Sequence, residues 1–391
     1  MRRIGIYGGT FNPPHIGHIR SALKAVHALE LDRLLVIPDR IAPHKQLPEG
    51  SAEPEQRLEM MRLALSGAVG VEVSDMELHR EGKSFTFETV EQLRTLYPED
   101  ELILLMGTDM FLSFPQWRNP DRILAQAALG VFYRGNRGER AAIDARKAEM
   151  EAAGHRVYLV ENEVVEISST DLRRLLVFDC ASPFLPKGVG EYIAERGLYG
   201  ACRDYQRLPM EELESVVLSL LKANRVNHVL GCRDTAVALA ERWGADVTDA
   251  SRAGILHDVT KALDGPLQLT LCAEYGTILT DFDRRYPRTL HALTGALVAK
   301  RIFGENDAVV SAIRWHTTGR ANMSLLEKII YVADYMEPNR DFPGVERLRE
   351  LAFSDIDGAL KLGLEMTLEH LKDQGAEVSV ASREALEWLN Q

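Results

Sequence analysis

The residues best suited to do chemistry lie at the start of the chain, where a glycine pair precedes two histidines. The string reads Gly8-Gly9-Thr10-Phe11-Asn12-Pro13-Pro14-His15-Ile16-Gly17-His18. The apolar run Ile4–Tyr7 predicts a buried strand, and helical apolar spacing resumes at Ile16. Backbone amides and the positive end of a helix dipole meet at such a helix start, which suits phosphates. His15 and His18 can face the same spot, so the pattern predicts a nucleoside triphosphate site with hydrogen-bond donors for the leaving phosphates.

A second candidate phosphate site lies at Ile167-Ser168-Ser169-Thr170-Asp171-Leu172-Arg173. Hydroxyl groups at a helix N-terminus, with amides pointing outward, form an anion site. Arg173 follows Thr170 by one helical turn, so its guanidinium can close over the same phosphates. A plain helix N-cap is the alternative interpretation of the three hydroxyl residues taken alone.

Four further residues lie near predicted strand ends or in loops, where doubly wound folds bind ligands. Lys45 follows the second strand and can reach a phosphate, although alone it would be a solvated surface residue. Gly107 and Asp109 follow a strand directly, and an acid there can bind ribose hydroxyls or cap a helix. Trp117 can pack in the core or stack on a planar ring.

Taken together, these strings resemble a known group of enzymes. The H-x-G-H element is similar to the signature of the nucleotidyltransferase α/β-phosphodiesterase superfamily, and G-G-T-F-N-P-P-H narrows the resemblance to the nicotinate-nucleotide adenylyltransferase family. The resemblance covers residues 1–200. It implies transfer of adenylate from ATP, accompanied by Mg²⁺, to nicotinate mononucleotide, which yields nicotinate adenine dinucleotide and pyrophosphate.

The resemblance also implies site residues. It assigns catalysis to His15, His18, Lys45 and Arg173. It assigns nicotinate mononucleotide binding to Thr86 at the start of a helix, to Trp117 stacking on the pyridine, and to the backbone around Arg118. It assigns ATP binding to Gly8, Gly9, Thr10, Phe11, His15, His18, Gly107, Asp109, Ser168, Ser169, Thr170 and Arg173.

The second half of the chain contains a different set of histidines and aspartates. Its members are His228, His257, Asp258, His291, His316 and Asp334. They are distributed over five predicted helices and could converge in the core of a bundle. Imidazole and carboxylate suit iron, manganese, zinc or cobalt better than calcium. Each histidine taken singly would more often be a core or surface residue.

The ordered set, with the flanking strings H-D-x-x-K, H-T-T-G and A-D-Y-x-E-P-N-R, resembles the HD superfamily of metal-dependent phosphohydrolases. Within it, the flanking strings are similar to the YqeK type of symmetrical diadenosine tetraphosphate hydrolase. The resemblance spans about residues 205–391. It implies two transition-metal ions, iron in many members, with Asp258 bridging them and Lys261 contacting a phosphate oxygen.

The expected function is therefore a bifunctional enzyme that makes nicotinate adenine dinucleotide and cleaves diadenosine tetraphosphate into two ADP. Two alternatives stay open for the second half. It could be a regulatory module that senses nucleotides, or a phosphohydrolase for other nucleotides.

The elements that must position these residues fall into two classes. In the first half, strands predicted at 3–7, 33–37, 70–74, 101–106, 130–133 and 156–160 alternate with helices such as 18–29, 56–65 and 86–96. Such alternation predicts a Rossmann-like, doubly wound parallel sheet. The second half predicts only helices, at 213–221, 226–243, 253–257, 292–302, 309–316, 325–336 and 356–371. We expect domains at 1–200 and 210–391, joined by a polar linker at 201–209.

Composition limits the partners and the setting. A chain of 391 residues with 46% hydrophobic and 27% charged residues is typical of two or three globular domains. The net charge of −12 argues against nucleic acid as the main partner. The sequence contains no uncharged apolar stretch of about 18 residues and no signal-peptide core, so we expect no membrane span and a cytoplasmic protein. The four scattered cysteines are expected to be reduced thiols; a homo-oligomer is left open.

Overall fold

The computed structural model describes residues 1–42, 46–133, 137–162, 165 and 167–391. The chain forms two compact units, residues 1–203 and 204–391. The predicted fold class is confirmed, because the first unit is a parallel sheet with flanking helices and the described part of the second unit is helical.

The first unit is built on a six-stranded sheet in the order β3-β2-β1-β4-β5-β6, and every neighbouring pair is parallel. The strands are β1 (Arg3–Gly9), β2 (Arg33–Pro38), β3 (Val71–Val73), β4 (Glu101–Gly107), β5 (Ala127–Tyr133) and β6 (Val157–Glu161). Strand order reverses beside β1, which has β2 on one side and β4 on the other. Ligands of doubly wound folds bind outside the carboxyl ends of the strands at such a switch point.

Helices cover both faces of this sheet. They are α1 (Ile16–Ala28), α2 (Pro54–Ala64), α3 (Thr86–Leu96), α4 (Thr108–Ser113), α5 (Pro120–Leu124), α6 (Arg137–Ala152), α7 (Ser169–Val177) and α8 (Val189–Arg196). Successive residues of a strand point to opposite faces of the sheet, and each face has its own hydrophobic core. Ile6 packs in the core that contains Val90 of α3, whereas Val36 packs in the core that contains Ala22 of α1. Strands buried on both faces explain the nearly continuous apolar runs in the sequence.

The second unit contains helices of 5 to 18 residues. They are α9 (Met210–Leu220), α10 (Val226–Trp243), α11 (Val247–Leu256), α12 (Gly265–Glu274), α13 (Asp281–Arg285), α14 (Leu290–Arg301), α15 (Asp307–Trp315), α16 (Leu325–Met336), α17 (Val345–Ala352), α18 (Ile356–Asp373) and α19 (Val380–Leu389). Among the described residues, no helix is both long and apolar enough to cross a membrane.

Two sequence-based expectations differ from the structure. The helix predicted at 253–257 begins earlier, at Val247, where the Asp246 side chain caps it by accepting the Asp249 N–H at 2.8 Å. The residues of the predicted linker (201–209) from Asp204 onward belong to the second unit: Leu208 is buried, and the Arg207 N–H donates to the Phe303 carbonyl at 2.9 Å. Apolar residues within a polar stretch explain this packing, because burying them removes their surface from water.

Candidate functional sites

The two signature histidines lie together at the start of α1. His15 immediately precedes the helix, His18 lies in its first turn, and their rings stack with centroids 3.6 Å apart. The backbone N–H of His15 donates to His18 Nδ1 at 3.2 Å. Because Nδ1 accepts, the proton of the neutral His18 ring resides on Nε2. Gly17 permits the stack, since a Cβ there would lie 2.9 Å from His15 Nδ1.

Both imidazoles are neutral near pH 7. Burial lowers the pKa of His15 to about 4. Burial and the neighbouring His15 lower the pKa of His18 well below its usual value. The pair therefore supplies N–H donors and no positive charge at the helix start.

Two cavities lie at the carboxyl edge of the sheet. One, of about 240 Å³, is lined in part by Gly8, Gly9, Thr10, Thr86, Trp117 and Arg118. The other, of about 360 Å³, is lined in part by Tyr7, His15, His18, Gly107 and Asp109. The end of β1 contributes to both cavities, and Met110 lines both. The structure thus brings the residues expected at the mononucleotide into one cavity and both histidines into the other.

Some residues expected to bind ATP do not line the cavity that contains the two histidines. Gly8, Gly9 and Thr10 line the cavity that contains Trp117. The Phe11 ring is buried and packs edge-on against His18, with centroids 5.1 Å apart. Lys45 lies outside the described residues.

The N-terminus of α7 contacts the glycine-rich loop directly. Ser169 Oγ donates to the Pro13 carbonyl at 2.9 Å, and Arg173 Nη1 donates to the Asn12 carbonyl at 2.6 Å. Arg173 Nη2 also donates to Thr170 Oγ1 at 3.1 Å, whereas Ser168 caps the helix by accepting the Asp171 N–H at 3.0 Å. In this structure the predicted phosphate-binding segment at the start of α7 therefore holds the glycine-rich loop after β1 in place.

A buried arginine that the sequence analysis missed fixes two loops at this edge. Arg57 of α2 has no exposed surface; Nη1 donates to the Thr10 carbonyl at 2.7 Å and pairs with Asp39 Oδ1 at 3.0 Å. Its Nη2 donates to the Asp39 carbonyl at 2.8 Å. The spacing of Arg57 with the buried Met60 and Met61 is the signal that could have placed it on the inner face of α2.

The cavity that contains Trp117 combines aromatic rings with an exposed cation. Trp117 packs against Phe114, with ring centroids 5.3 Å apart. The Arg118 guanidinium lies over the Phe85 ring at 4.4 Å, next to Thr86, the first residue of α3. Such a pocket can stack a planar ring and hold an anionic substituent.

The predicted histidine and aspartate set of the second unit converges. His228 Nε2 lies 3.1 Å from Asp334 Oδ1 and 3.2 Å from His257 Nε2. Two groups could each hold a metal ion, with the ligand atoms of each group within 4.8 Å of one another: His228, His257 and Asp334, and His257, Asp258 and His316. His291 Nε2 lies 3.5 Å from Asp258 Oδ1.

Local contacts orient the ligands. The Nδ1 atoms of His257 and His316 each lie 2.7 Å from a backbone carbonyl, of Gly254 and Ile313 respectively. His228 Nδ1 lies 3.1 Å from Glu337 Oε1. A partner at Nδ1 leaves Nε2 for a metal and fixes the ring. The role of Glu337 was missed, although it lies one turn after Asp334 on the quoted string.

Charged neighbours surround the two aspartates. Arg225 Nη2 contacts Asp258 Oδ2, and Arg340 Nη2 pairs with Asp334 Oδ1 at 2.7 Å. Burial favours a neutral Asp258, but His257, His291 and Lys261 keep its pKa below the usual range. Asp258 Oδ1 is buried and accepts no hydrogen bond within the part of the chain that the structure describes. An ionised carboxylate with an unsatisfied buried oxygen, facing imidazole nitrogens, fits a transition-metal ion.

Comparisons with known proteins match the two units separately. A family model described as cytidylyltransferase-like matches residues 6–175, and an HD domain model matches residues 225–339. A Geobacillus thermodenitrificans protein named "Probable nicotinate-nucleotide adenylyltransferase" is 37% identical over 203 residues, which are 51% of this chain and 88% of that protein. A Gemmatimonas aurantiaca protein of the same name is 37% identical over 208 residues, covering 52% of this chain and 94% of its own length.

One solved structure is also similar to this chain. It is from Clostridium acetobutylicum and is described as a "predicted HD superfamily hydrolase involved in NAD metabolism". It is 39% identical, covers 47% of this chain and 97% of its own, and has a TM-score of 0.46.

Proposed function

The chain belongs to the nicotinate-nucleotide adenylyltransferase family through its first unit and carries an HD domain in its second, and from this we propose that it is a bifunctional enzyme. The first unit joins the adenylate of ATP to nicotinate mononucleotide. A phosphate oxygen of the mononucleotide attacks the α-phosphorus of ATP, the bond to the bridging oxygen breaks, and pyrophosphate leaves. The attacking group belongs to the substrate, so no protein nucleophile is needed.

The observation that carries this proposal is the pair of adjoining cavities. The cavity with Trp117 and Arg118 takes the pyridine mononucleotide, and the cavity with His15, His18 and Asp109 takes Mg-ATP. The two reacting phosphates then meet near the end of β1. The His18 Nε2–H donates to charge that develops on the leaving pyrophosphate, which is where a fixed donor lowers the barrier.

A direct assay tests the first activity. The purified chain with Mg-ATP and nicotinate mononucleotide should release pyrophosphate and nicotinate adenine dinucleotide in equal amounts. Nicotinamide mononucleotide, which lacks the carboxylate, should be a poorer substrate. Pyrophosphate release that does not depend on any pyridine mononucleotide would overturn the proposal.

For the second unit we propose a metal-dependent phosphohydrolase that cleaves diadenosine tetraphosphate symmetrically into two ADP. The supporting observation is a complete, converging ligand set with its orienting contacts. His228, His257, Asp258, His291, His316 and Asp334 would hold two ions, and we propose iron. Bound ions of this kind activate a water molecule and stabilise the charge of the cleaved phosphate. Lys261, whose Nζ lies 2.8 Å from His291 Nε2, is beside the proposed ligand set, and we propose that it contacts a phosphate oxygen of the substrate.

A nucleotide panel with metal analysis tests the second activity. The purified chain should contain up to two transition-metal ions, lose them on chelation, and produce only ADP from diadenosine tetraphosphate. Faster cleavage of another nucleotide would favour a different phosphohydrolase. Tight nucleotide binding without any cleavage by the metal-loaded chain would instead support a sensing module.

A further inference from the structure

A buried glutamate lines the cavity that contains Trp117 and has no role in the function proposed above. Glu77 is 7% exposed and lies in the segment between β3 and α3. Its Oε1 accepts the Thr89 hydroxyl, and its carboxylate also bonds the Ser84 hydroxyl. A carboxylate placed at the wall of a pocket for an anionic substrate needs an explanation, because its charge repels the substrate.

The partners of Glu77 flank the residues that form the wall of this cavity. Ser84 immediately precedes Phe85 and Thr86, and Thr89 lies in the first part of α3. Ser84 is also tied to the loop after β2: its N–H donates to the Ile41 carbonyl at 3.0 Å, and its Oγ accepts the Arg40 N–H at 3.2 Å.

Other charged groups around Glu77 are paired within the protein. Arg80 Nη1 donates to Thr89 Oγ1 at 2.7 Å, and Asp39, which also lines the cavity, pairs with Arg57. Phe85, held between Ser84 and Thr89, supports the Arg118 guanidinium at 4.4 Å. Through Ser84 and Thr89, the Glu77 carboxylate therefore links the loop after β2 to the start of α3, beside the Phe85 ring that lies under Arg118.

We propose that Glu77 is a positioning residue for the pyridine mononucleotide: by holding Ser84 and Thr89, it fixes Phe85, Thr86 and Arg118 where they distinguish a pyridine carboxylate from the neutral amide. This inference rests on the proposed adenylyl transfer. Selection of the carboxylate over the amide then depends on the geometry that Glu77 maintains, because hydrogen-bond donors held in fixed positions bind a carboxylate more tightly than an amide.

The direction in which the affinity for nicotinate mononucleotide changes distinguishes a positioning role of Glu77 from a purely electrostatic one. Removing a negative charge from the wall of an anion pocket would by itself tighten binding of nicotinate mononucleotide. Loss of positioning weakens that binding instead. Thr89→Val provides a second test, because it keeps the charge of Glu77 and removes the hydroxyl that donates to Glu77 and accepts from Arg80.

The experiment measures kcat and KM of the full chain for ATP, nicotinate mononucleotide and nicotinamide mononucleotide. In Glu77→Ala and Thr89→Val we expect the KM for nicotinate mononucleotide to rise about tenfold, as for loss of one buried hydrogen-bonding contact. The KM for ATP and kcat at saturation should stay within about twofold, because ground-state binding of one substrate is affected. Glu77→Gln retains one acceptor oxygen and should restore part of the affinity. Glu81→Ala, an exposed change on the same segment, is the matched control and should behave as wild type.

The measured preference between the two mononucleotides tests the positioning role of Glu77. A preference for the carboxylate substrate that falls about tenfold in both disruptive variants, with ATP kinetics retained, supports the inference. Unchanged or tighter binding of nicotinate mononucleotide overturns it, as do parallel losses in kcat and in both KM values. A wild-type chain that forms no dinucleotide would overturn the proposed function itself, and that failure is visible before any variant is made.

Discussion

At the residue scale, the adenylyl transfer that we propose for the first unit uses two histidines that burial keeps neutral. Their stacked rings and burial place N–H donors at the start of α1 without adding positive charge. A neutral donor can strengthen its hydrogen bond as the leaving phosphate gains charge, while binding the ground state less tightly than a cation would.

His18→Ala removes the donor that we place at the leaving phosphates. We expect kcat for adenylyl transfer to fall roughly 100-fold or more, as when a preorganised donor to transition-state charge is lost. The KM for ATP should change less. Steady-state kinetics with both substrates varied provide the measurement, and turnover near the wild-type value would show that His18 does not have this role.

Trp117→Ala should act on binding and not on the chemical step. Stacking on the pyridine is equally strong in the ground and transition states, so the KM for nicotinate mononucleotide should rise while kcat is largely retained. The same kinetics measure this. If only the KM for ATP changed, the two substrates would have been assigned to the wrong cavities.

The depressed pKa of His15 has a consequence for stability in acid. An unfolded histidine takes up a proton near pH 6.5, whereas folded His15 does so only near pH 4. Stability that is fully present above pH 6.5 should therefore fall as the pH drops toward 4, by about 3 kcal/mol for a shift of this size. Urea unfolding of wild type and His15→Gln across this range measures it. Parallel pH dependences in the two proteins would rule out a contribution from His15.

Residues with a distinctive local pattern could be predicted from the sequence, whereas residues whose role depends on distant partners could not. The spacing of His15 and His18 is visible along one helix turn. Arg57 bonds to loops that lie 17 to 47 residues away in the sequence, and Glu337 meets His228 across 109 residues. Such partners become neighbours only in the folded chain.

At the element scale, the first site is assembled from the ends of strands and the starts of helices. The loop after β1 is held by Arg57 of α2 from one direction and by Ser169 and Arg173 of α7 from another. We expect rigid attachment of this loop to keep the reacting groups of the proposed adenylyl transfer in a productive geometry.

Arg57→Met tests how strongly α2 holds that loop. Removing one partner of a buried ion pair leaves Asp39 uncompensated, so the free energy of unfolding should fall by about 3–5 kcal/mol. Arg62→Met on the same helix is the control: Arg62 is exposed, its nitrogen lies 3.6 Å from Asp75, and its loss should cost at most about 1 kcal/mol. Equal losses in the two variants, measured by urea unfolding, would contradict the role of Arg57.

Strands β1, β2, β4 and β5 were predictable because each is a short, mostly apolar run with buried residues on both faces. The edge strand β3 has no buried residue. Helices were less predictable where the helical spacing of apolar residues is weak. Helix α12 begins with Gly265 and Pro266 after an Asp264 cap, and its apolar residues do not form a clear stripe. His257 and His316 lie just past the ends of α11 and α15, where a one-residue difference in a helix end decides which way a ligand points.

At the scale of the whole molecule, each of the two units contains its own complete set of candidate catalytic groups. The first unit ends at Arg203 and the second begins at Asp204. No residue of the proposed metal centre belongs to the first unit, and neither signature histidine belongs to the second. Two activities on one chain should therefore be separable by mutation.

The most direct test of this account measures both activities in the full-length wild type, His18→Ala and Asp258→Ala. We predict that Asp258→Ala, which removes the carboxylate that we propose bridges the two ions, abolishes hydrolysis of diadenosine tetraphosphate and leaves adenylyl transfer intact. His18→Ala should show the reverse pattern. A folded Asp258→Ala protein that loses both activities, or one that still hydrolyses diadenosine tetraphosphate at the wild-type rate, would contradict the claim of two independent active sites.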